Sequence, residues 1–505
     1  MQRFTVKFLS PALLVLFAFV GSANAKEKDL RVYEGQFCWR TSPEHMVGAE
    51  YPGVVLDPDI AKNFRKEVLD YPESGAEIIL FSLQKPGEKF FAPDGKSTSK
   101  DKAALLAKQV EAIRYFSGTP LITLFDPDPS CRLESEEAYV EAAKWVIEAL
   151  REELGFMVCV SDRCDDPGWG RGSPGLYDIG LVEEIAGAIE EASPGRIVVA
   201  GGDSPDVLEA LEWECPNVGA LIRNDSKFEF GQGVLSFGKK PIIEVVNYKN
   251  ATEEDIHKAW ARVREDAKYA WVLSTDLDKP DPEMLEFLRK ATNSFQIERS
   301  EAVPPDPDDT ASLMEGEKAE GFVSLFNEKN LNGWVANSDE ANFGVHDDYI
   351  SVDKKSGGWL RSYYPYDDFV FRCQYQIKKG QNSGLHIRAP LNGRNSRVGF
   401  EFQILGQPID AKPEISGNGS IYDVKAPDEM RMKPYGEWND VEIRCEGPHL
   451  RIVWNGAVVH DIDYGDYERM EHRKQSGYIG LQDHDGSVKF RKIRIKPLGK
   501  DPHHS

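Results

Sequence analysis

Apolar residues along the first half of the chain recur in short β-branched runs that alternate with segments of helical spacing. In residues 103–116, for example, Leu106, Val110, Ile113 and Phe116 fall on one helix face. Strands alternating with helices are typical of a parallel sheet, and eight such units in about 250 residues match a (β/α)8 TIM-like barrel. The eight predicted strands are Gln36–Arg40, Glu77–Leu83, Leu121–Asp126, Phe156–Ser161, Ile197–Gly201, Val218–Asn224, Pro241–Tyr248 and Tyr269–Thr275.

The sixth unit of this pattern is weak, because residues 225–239 read as a loop rather than a helix. A doubly wound open sheet therefore stays as the alternative to a closed barrel. The pattern ends at an acidic, proline-rich stretch, residues 298–320, which is predicted to be a linker. We accordingly assign residues 26–297 to the barrel domain.

Residues 321–498 change to short alternating strands separated by turns rich in Gly, Asn and Asp. An all-β segment of this size is typical of a two-sheet sandwich, and residues 499–505 follow it as a short tail. Two of the seven cysteines, Cys373 and Cys445, lie in strand-like runs of this segment. The sequence leaves open whether they form a disulfide or stay as buried thiols.

The first 25 residues have the composition of a signal peptide. Arg3 and Lys7 precede a largely apolar run, and Ala23 and Ala25 provide the small residues of a cleavage site. No later stretch reaches the roughly 18 apolar residues that span a bilayer. We therefore predict export to the periplasm or medium after cleavage near Ala25, without a membrane span.

The formal net charge of −23 excludes some classes of partner. Nucleic acids and anionic membranes are bound by clustered Lys and Arg, which this acidic chain does not provide. The spacing of the cysteines also does not match a structural zinc site.

Polar side chains occupy one face of two predicted strands in the second half. Alternation places Asn382, His386 and Arg388 on one face of the first strand, and Glu401 and Gln403 on one face of the second. An ordinary sandwich covers its solvent face with Thr, Ser and Lys. This mixture of amides, imidazole, guanidinium and carboxylate predicts a polar site for a small hydroxylated ligand.

The same half resembles a known family, the 3-keto-disaccharide hydrolase domain. The resemblance covers about residues 321–498 and rests on eight motifs in order. They are Phe322–Asn327 with Leu331–Trp334, Asn382–Gly384 with Arg388, Glu401–Gln403, Ile421–Asp423, Gly436–Asn439, Trp454–Gly456, Gly477–His484 and Phe490–Ile495. The resemblance implies a concanavalin-like sandwich (jelly roll) that acts on 3-keto glycosides and disaccharides.

The resemblance also implies a reaction in which a base removes the C2 proton, the C1 substituent is eliminated and water adds back. Glu401 is the candidate base, or a ligand of a hard cation. His386 and His484 are candidate proton carriers, and Arg388 with Asn382 would hold the enolate oxygen. Gln403, Gln482, Asp483 and Trp438 complete the predicted substrate-binding set. No cofactor is implied with certainty, although a divalent cation is compatible with these ligands.

Each of these residues also has a structural interpretation. Arg388 could pair with Glu401, a sandwich tryptophan is usually core, and an outward histidine is often an ordinary surface residue. Base and acid cannot be told apart from the sequence. If the structural interpretations hold, the sandwich would be a lectin-like module that binds glycans without turning them over.

Carboxylates also follow several predicted strands of the barrel, where barrel active sites lie. Asp162 or Asp165 after the fourth strand, with Glu244 on the seventh, would form the pair of a retaining glycosidase. The third hypothesis is therefore a barrel glycosidase with an accessory sandwich. Against it, Glu244 sits early in its strand, and acidic strand ends are common in so acidic a protein.

Overall fold

The computed structural model describes most of both predicted domains. The described residues are 30–33, 36–39, 42–43, 46–51, 64–87, 90–96, 100–169, 175–225, 240–252, 254–255, 257–258, 261, 269–275, 277, 280–337, 343–352, 358–484, 487–499 and 502. The predicted signal peptide, residues 1–25, and the predicted loop at 226–239 lie outside them. No helix in this described part of the chain is long and apolar enough to cross a membrane.

Eight parallel strands form a closed barrel, which confirms the (β/α)8 prediction and rules out the open sheet. Inward side chains such as Leu80, Leu121 and Val272 form one apolar cluster inside the barrel, and outward ones such as Ile79 and Ile122 pack against the helices. The strands are β4 (Met46–Glu50), β5 (Ile78–Ser82), β6 (Thr119–Thr123), β7 (Met157–Cys159), β8 (Val198–Gly201), β9 (Ala220–Asp225), β10 (Ile242–Asn247) and β11 (Tyr269–Ser274).

Helices lie between most of these strands. Their starts follow the sequence chemistry: Ser135 accepts a hydrogen bond from the Ala138 amide, and Asp281 accepts from the amides of Glu283 and Met284. The helices among the described residues of this domain include α1 (Asp70–Ser74), α2 (Lys100–Tyr115), α3 (Glu136–Ala149), α4 (Ile179–Ala192), α5 (Pro205–Glu214) and α6 (Pro282–Arg299).

The predicted first barrel strand, Gln36–Arg40, is wrong. Gln36–Trp39 is strand β2 of a separate antiparallel sheet with β1 (Leu30–Tyr33) and β3 (Ser42–Pro43). The barrel begins instead with β4, whose Gly48 is so close to β5 that a Cβ atom would lie 2.4 Å from the Ile78 carbonyl oxygen. The Gly-Ala composition that permits this approach also gives β4 a weak strand signal.

The second domain is a sandwich of two antiparallel sheets around one apolar core, as predicted. One sheet has the order β14-β15-β24-β17-β20-β21-β22, with β12 paired to β24, and the other has the order β13-β16-β23-β18-β19. The strands are β12 (Val323–Ser324), β13 (Trp334–Ala336), β14 (Phe343–His346), β15 (Tyr349–Val352), β16 (Trp359–Ser362), β17 (Phe369–Gln376), β18 (Asn382–Ala389), β19 (Phe400–Leu405), β20 (Trp438–Glu446), β21 (His449–Trp454), β22 (Ala457–Asp463), β23 (Tyr478–Gln482) and β24 (Lys489–Pro497).

Cys373 and Cys445 are buried thiols rather than a disulfide. Both lie in the larger sheet, on neighbouring strands β17 and β20. Cys373 faces Val441 and Cys445 faces Phe369 across the ladder. The two sulfurs are therefore offset along the strands, and each fills a place in the core.

The two domains pack against each other through helix α6 and the outer face of the smaller sheet. Buried Arg361 on β16 donates to the side-chain oxygens of Gln296 at 3.0 Å and Asn293 at 2.8 Å. The predicted linker also has ordered contacts, since the Glu317 carboxylate accepts from Arg494 at 2.6 Å and from Arg372 at 2.9 Å.

Candidate functional site

The predicted polar face is the outer face of the smaller sheet. On β19, Phe400 and Phe402 point into the core, so Glu401 and Gln403 point outward. The same alternation turns His386 of β18 outward. The register then brings the side chains together, because His386 is the direct cross-strand partner of Glu401 and Gly384 is the partner of Gln403.

Glu401 lies in a buried position that a glycine makes available. Its side chain covers Gly384, where a Cβ atom would lie 2.4 Å from the Glu401 Oε1 atom. Only 5% of Glu401 is exposed, and this burial raises the pKa of its carboxyl to about 7, against a smaller lowering effect of the Arg394 charge. A carboxylate of this kind is half ionised near neutral pH, as a general base requires.

His386 is held in its neutral form beside this carboxylate. It is 4% exposed, and burial lowers its pKa to about 3. Its Nδ1 lies 2.9 Å from Nδ2 of Asn395. With the amide in this orientation Nδ1 accepts, so the ring carries its proton on Nε2. Nε2 lies 3.8 Å from the Glu401 Oε2 atom, too far for a hydrogen bond.

Amide groups surround the pair. When the Gln403 amide is oriented so that both its ends are satisfied, its nitrogen donates to Glu401 Oε1 and to the Ser383 carbonyl, each at 3.1 Å. Three buried amide oxygens on this face, from Asn382, Asn395 and Gln482, have no hydrogen-bond partner among the described residues. Buried acceptors without partners are costly, and sugar hydroxyls are donors that would satisfy them.

Asn395 was missed by the sequence analysis. It lies in the loop between β18 and β19, at the start of the short helix α7 (Asn395–Val398), so no strand alternation marks it. Trp359 of β16 also lies at this face. Its ring meets the His386 ring edge-on, with centroids 5.5 Å apart, and it lies over Gly480 on the neighbouring strand.

Arg388 does not join this cluster. The pairing of β18 with β23 shifts register between His386 and Ala389, and Arg388 has a left-handed φ of 50°. This irregularity turns the guanidinium away from the face. It donates to the carbonyls of Asp367 at 2.7 Å and Gly447 at 2.8 Å, and its side chain is fully buried. The role predicted for Arg388 at the enolate oxygen is therefore wrong, and so is its pairing with Glu401.

The remaining predicted residues are Trp438, His484 and Asp483. Trp438 is on the outer face of the other sheet, since its neighbours Val441 and Ile443 point into the core, and its ring stacks with the Arg491 guanidinium at 4.1 Å. The structure therefore does not bring Trp438 to the cluster. His484 follows the end of β23 in an exposed position. Asp483 is buried beside it, and its amide donates to the Gly358 carbonyl at 2.9 Å.

The comparison with known proteins bears on this domain. Residues 321–496 match the family model described as a 3-keto-alpha-glucoside-1,2-lyase-like domain. The matched residues coincide with the sandwich. A relative named 3-keto-disaccharide hydrolase, from Bacteroides thetaiotaomicron, is 24% identical over 36% of this chain and 79% of its own length.

Solved structures resemble each half separately. A candidate glycosyl hydrolase from Parabacteroides distasonis is 23% identical over 37% of this chain and 98% of its own, with a TM-score of 0.33. A β-1,4-mannanase from the sea hare Aplysia kurodai is 13% identical over 53% of this chain and 97% of its own, with a TM-score of 0.44. Structural similarities with TM-scores below 0.5 do not establish a fold. Both folds are therefore assigned from the strand topology described above.

Outside the lyase-like domain, the barrel does not form the carboxylate pair proposed for a glycosidase. Glu244 alternates with Ile243 and Val245, which point into the barrel, so it faces outward, where Arg223 pairs with it at 2.9 Å. Asp165 is also occupied structurally, because its carboxylate accepts from the Ser204 amide at the start of α5, at 2.5 Å. Pairing of Asp162 or Asp165 with Glu244 is therefore wrong.

The mouth of the barrel instead holds Glu50, which the sequence analysis missed. Glu50 ends β4 and points inward, and burial together with the nearby charge of Asp162 raises its pKa to about 7. Asp162 itself accepts from the Asn224 side chain at 3.1 Å. Arg163 pairs with Asp126 at 2.7 Å. Across the described residues of both domains, no group of three or more His, Cys, Asp or Glu side chains is arranged to hold a metal ion.

Proposed function

We propose that the lyase-like sandwich cleaves 3-keto glycosides, with Glu401 as the base. The domain family and the relative named as a hydrolase support a carbohydrate-active enzyme that acts on glycosides. The observation that carries the finer proposal is the buried Glu401 carboxyl, with its pKa near 7, beside neutral His386. Among the residues of β18, β19 and β23, Glu401 is the only carboxylate on this face, whereas an ordinary glycosidase site has two opposed ones.

The reaction begins at C2, whose hydrogen is acidified by the neighbouring ketone. Glu401 takes this proton, and the electron pair moves to form the enolate on the C3 oxygen. His386, with its proton on Nε2, is the donor placed to stabilise that oxygen, in the role that the sequence analysis gave to Arg388. Gln403 keeps the carboxylate oriented through its bond to Oε1.

Elimination and hydration complete the cycle. The enolate expels the C1 substituent, the proton that Glu401 took from C2 passes to the departing oxygen, and a C1–C2 double bond remains conjugated to the ketone. Water then adds its oxygen to C1, and the proton that this water releases passes through Glu401 to C2, so C2 acquires a solvent proton. The net change is hydrolysis, and the unpartnered oxygens of Asn382, Asn395 and Gln482 would accept hydrogen bonds from the sugar hydroxyls.

A deuterium experiment tests this reaction. The full chain is incubated in D2O with a 3-keto glycoside and, separately, with the same glycoside unoxidised, and aglycone release and label at C2 are measured. We expect release from the keto form alone, with deuterium at C2 of the sugar product. Equal release from both substrates, or a product without label at C2, would contradict the proposal. Saturable binding of the keto form without release would favour the lectin-like alternative.

Export of the mature protein is a separate proposal that rests on residues 1–25. Expression of the full chain in a bacterium with a secretion pathway, followed by N-terminal sequencing of the mature protein, tests it. We expect the sequence to begin at Lys26.

A further inference from the structure

The loop between β18 and β19, residues 390–399, contacts one member of the candidate catalytic pair and brings a charge near the other. Asn395 lies 2.9 Å from the ring of His386 and determines which ring nitrogen carries the proton. Arg394 lies near enough to Glu401 to oppose the effect of burial on its pKa. The protonation of both candidate groups therefore depends on where this loop sits.

The opposite side of the same loop is fixed to the barrel domain. The Asn392 side-chain nitrogen donates to the Gly75 carbonyl at 3.2 Å and to the Glu77 carboxylate at 3.0 Å. Its main-chain amide donates to the Pro72 carbonyl at 3.2 Å. These three bonds tie the beginning of the loop to helix α1 and to the segment that leads into β5.

Two further contacts hold the rest of the loop against the end of helix α2. The Arg394 amide donates to the Phe116 carbonyl at 3.3 Å. Arg397 donates to the Tyr115 carbonyl at 3.0 Å, and its guanidinium lies 4.4 Å from the Tyr115 ring centre. Between these anchors Gly393 has a φ of 88°, and a Cβ atom there would lie 2.7 Å from Pro72 Cβ. Only glycine fits this approach without strain.

We propose that the barrel domain is a positioning scaffold for the sandwich site, which it organises by holding the 390–399 loop. Asn392 and Glu77 are positioning residues in this proposal, because they act on Glu401 and His386 only through the loop. The inference rests on the function proposed above. It gives the barrel a role in turnover that requires no chemistry at its own mouth.

The physical basis is the sensitivity of catalysis to small displacements. A loop that loses its anchors samples positions in which Asn395 no longer contacts His386 and Arg394 moves away from Glu401. Misplacement by about 1 Å lowers rates by up to about 100-fold. The charged or titratable groups that face Glu401 here are His386 from β18 and Arg394 from the loop. Since His386 is neutral, loss of the nearby Arg394 charge should raise the pKa of Glu401.

The test compares variants of the full chain. Asn392→Ala removes the loop side of the anchor, Glu77→Ala removes the barrel side, and Glu77→Gln retains an oxygen that accepts from Asn392. Glu73→Ala is the control, because it breaks a contact between the domains, with Lys474, that does not involve the Asn392 anchor. The readouts are kcat, KM, the pH profile of kcat/KM on a 3-keto glycoside, and hydrogen–deuterium exchange of the loop amides.

We expect Asn392→Ala and Glu77→Ala to speed exchange in residues 390–399 and to lower kcat about tenfold. The acid limb of their pH profiles should move to higher pH, while Glu77→Gln and Glu73→Ala should stay close to wild type. Faster loop exchange with unchanged kcat and pH profile would overturn the inference while leaving the proposed function intact. Absence of turnover in the wild-type protein would overturn both.

Discussion

The barrel mouth and the sandwich face each contain a glutamate whose pKa desolvation raises to about 7, yet their surroundings differ. Around Glu50 the other charges partner one another, as Arg163 does with Asp126. Around Glu401 there are amides, a neutral histidine and buried oxygens without partners among the described residues. A raised pKa alone therefore does not distinguish a catalytic carboxylate from a structural one. The difference between the two glutamates is the set of unsatisfied amide oxygens beside Glu401, which a ligand would complete.

Substitution of each glutamate by glutamine should separate the two regions most clearly. Glu401→Gln keeps the size of the side chain and removes the base, so kcat on a 3-keto glycoside should fall by about 10²–10⁴-fold. Glu50→Gln should leave kcat and KM unchanged. Steady-state kinetics of the two variants checks this.

Circular dichroism and thermal melting of both glutamine variants provide the control for folding. A folded Glu401→Gln protein with wild-type kcat would remove Glu401 from the mechanism. A large loss of turnover in Glu50→Gln alone would indicate that the reaction takes place in the barrel.

The two regions also differ in how well their sequence predicted them. Period-two alternation correctly placed His386, Glu401 and Gln403 on one face, because the core side of each strand is strictly apolar. It failed at Arg388, where a local register shift and a left-handed φ turn the side chain away. Alternation also carries no information on which sheet a strand joins, so Trp438 was assigned to a face that it does not share.

In the barrel, the helical and strand spacing of apolar residues predicted the architecture. It did not predict which side chains lie at the barrel mouth. The strand that carries Glu50 is short and contains Gly48 and Ala49, so the more regular pattern at Gln36–Trp39 was taken for it. Glu244 was considered because of its position along the chain. Both Ile243 with Val245 and Ile242 with Val246 are apolar, so alternation leaves the direction of Glu244 undecided, and the structure shows that it faces outward.

Arg388→Ala should act on stability rather than on the chemical step. The substitution leaves the carbonyls of Asp367 and Gly447 without the donor from Arg388, and Asp368 without its ion-pair partner. We expect the free energy of unfolding to fall by about 3 kcal/mol. Urea denaturation measures this loss.

The same variant sharpens the contrast with Glu401. At a temperature where Arg388→Ala remains folded, its kcat should stay within about tenfold of wild type, well above that of Glu401→Gln. If Arg388→Ala had normal stability and lost as much turnover as Glu401→Gln, Arg388 would have a role in the reaction after all.

The smallest effect is the dependence of stability on pH, which both glutamates should share. Each has a folded-state pKa of about 7, above the ordinary value of 4.5. The folded state therefore binds more protons than the unfolded state in this interval, and the free energy of unfolding should decrease as pH rises from about 4.5 to 7. Each glutamate should contribute about 2–3 kcal/mol to the decrease. Urea unfolding curves at several pH values should show a shallower decrease for Glu50→Gln and for Glu401→Gln, and the two reductions should add, because the residues lie in different domains. If one variant keeps the full pH dependence of the wild type, its glutamate titrates normally, and the likeness between the two regions does not hold.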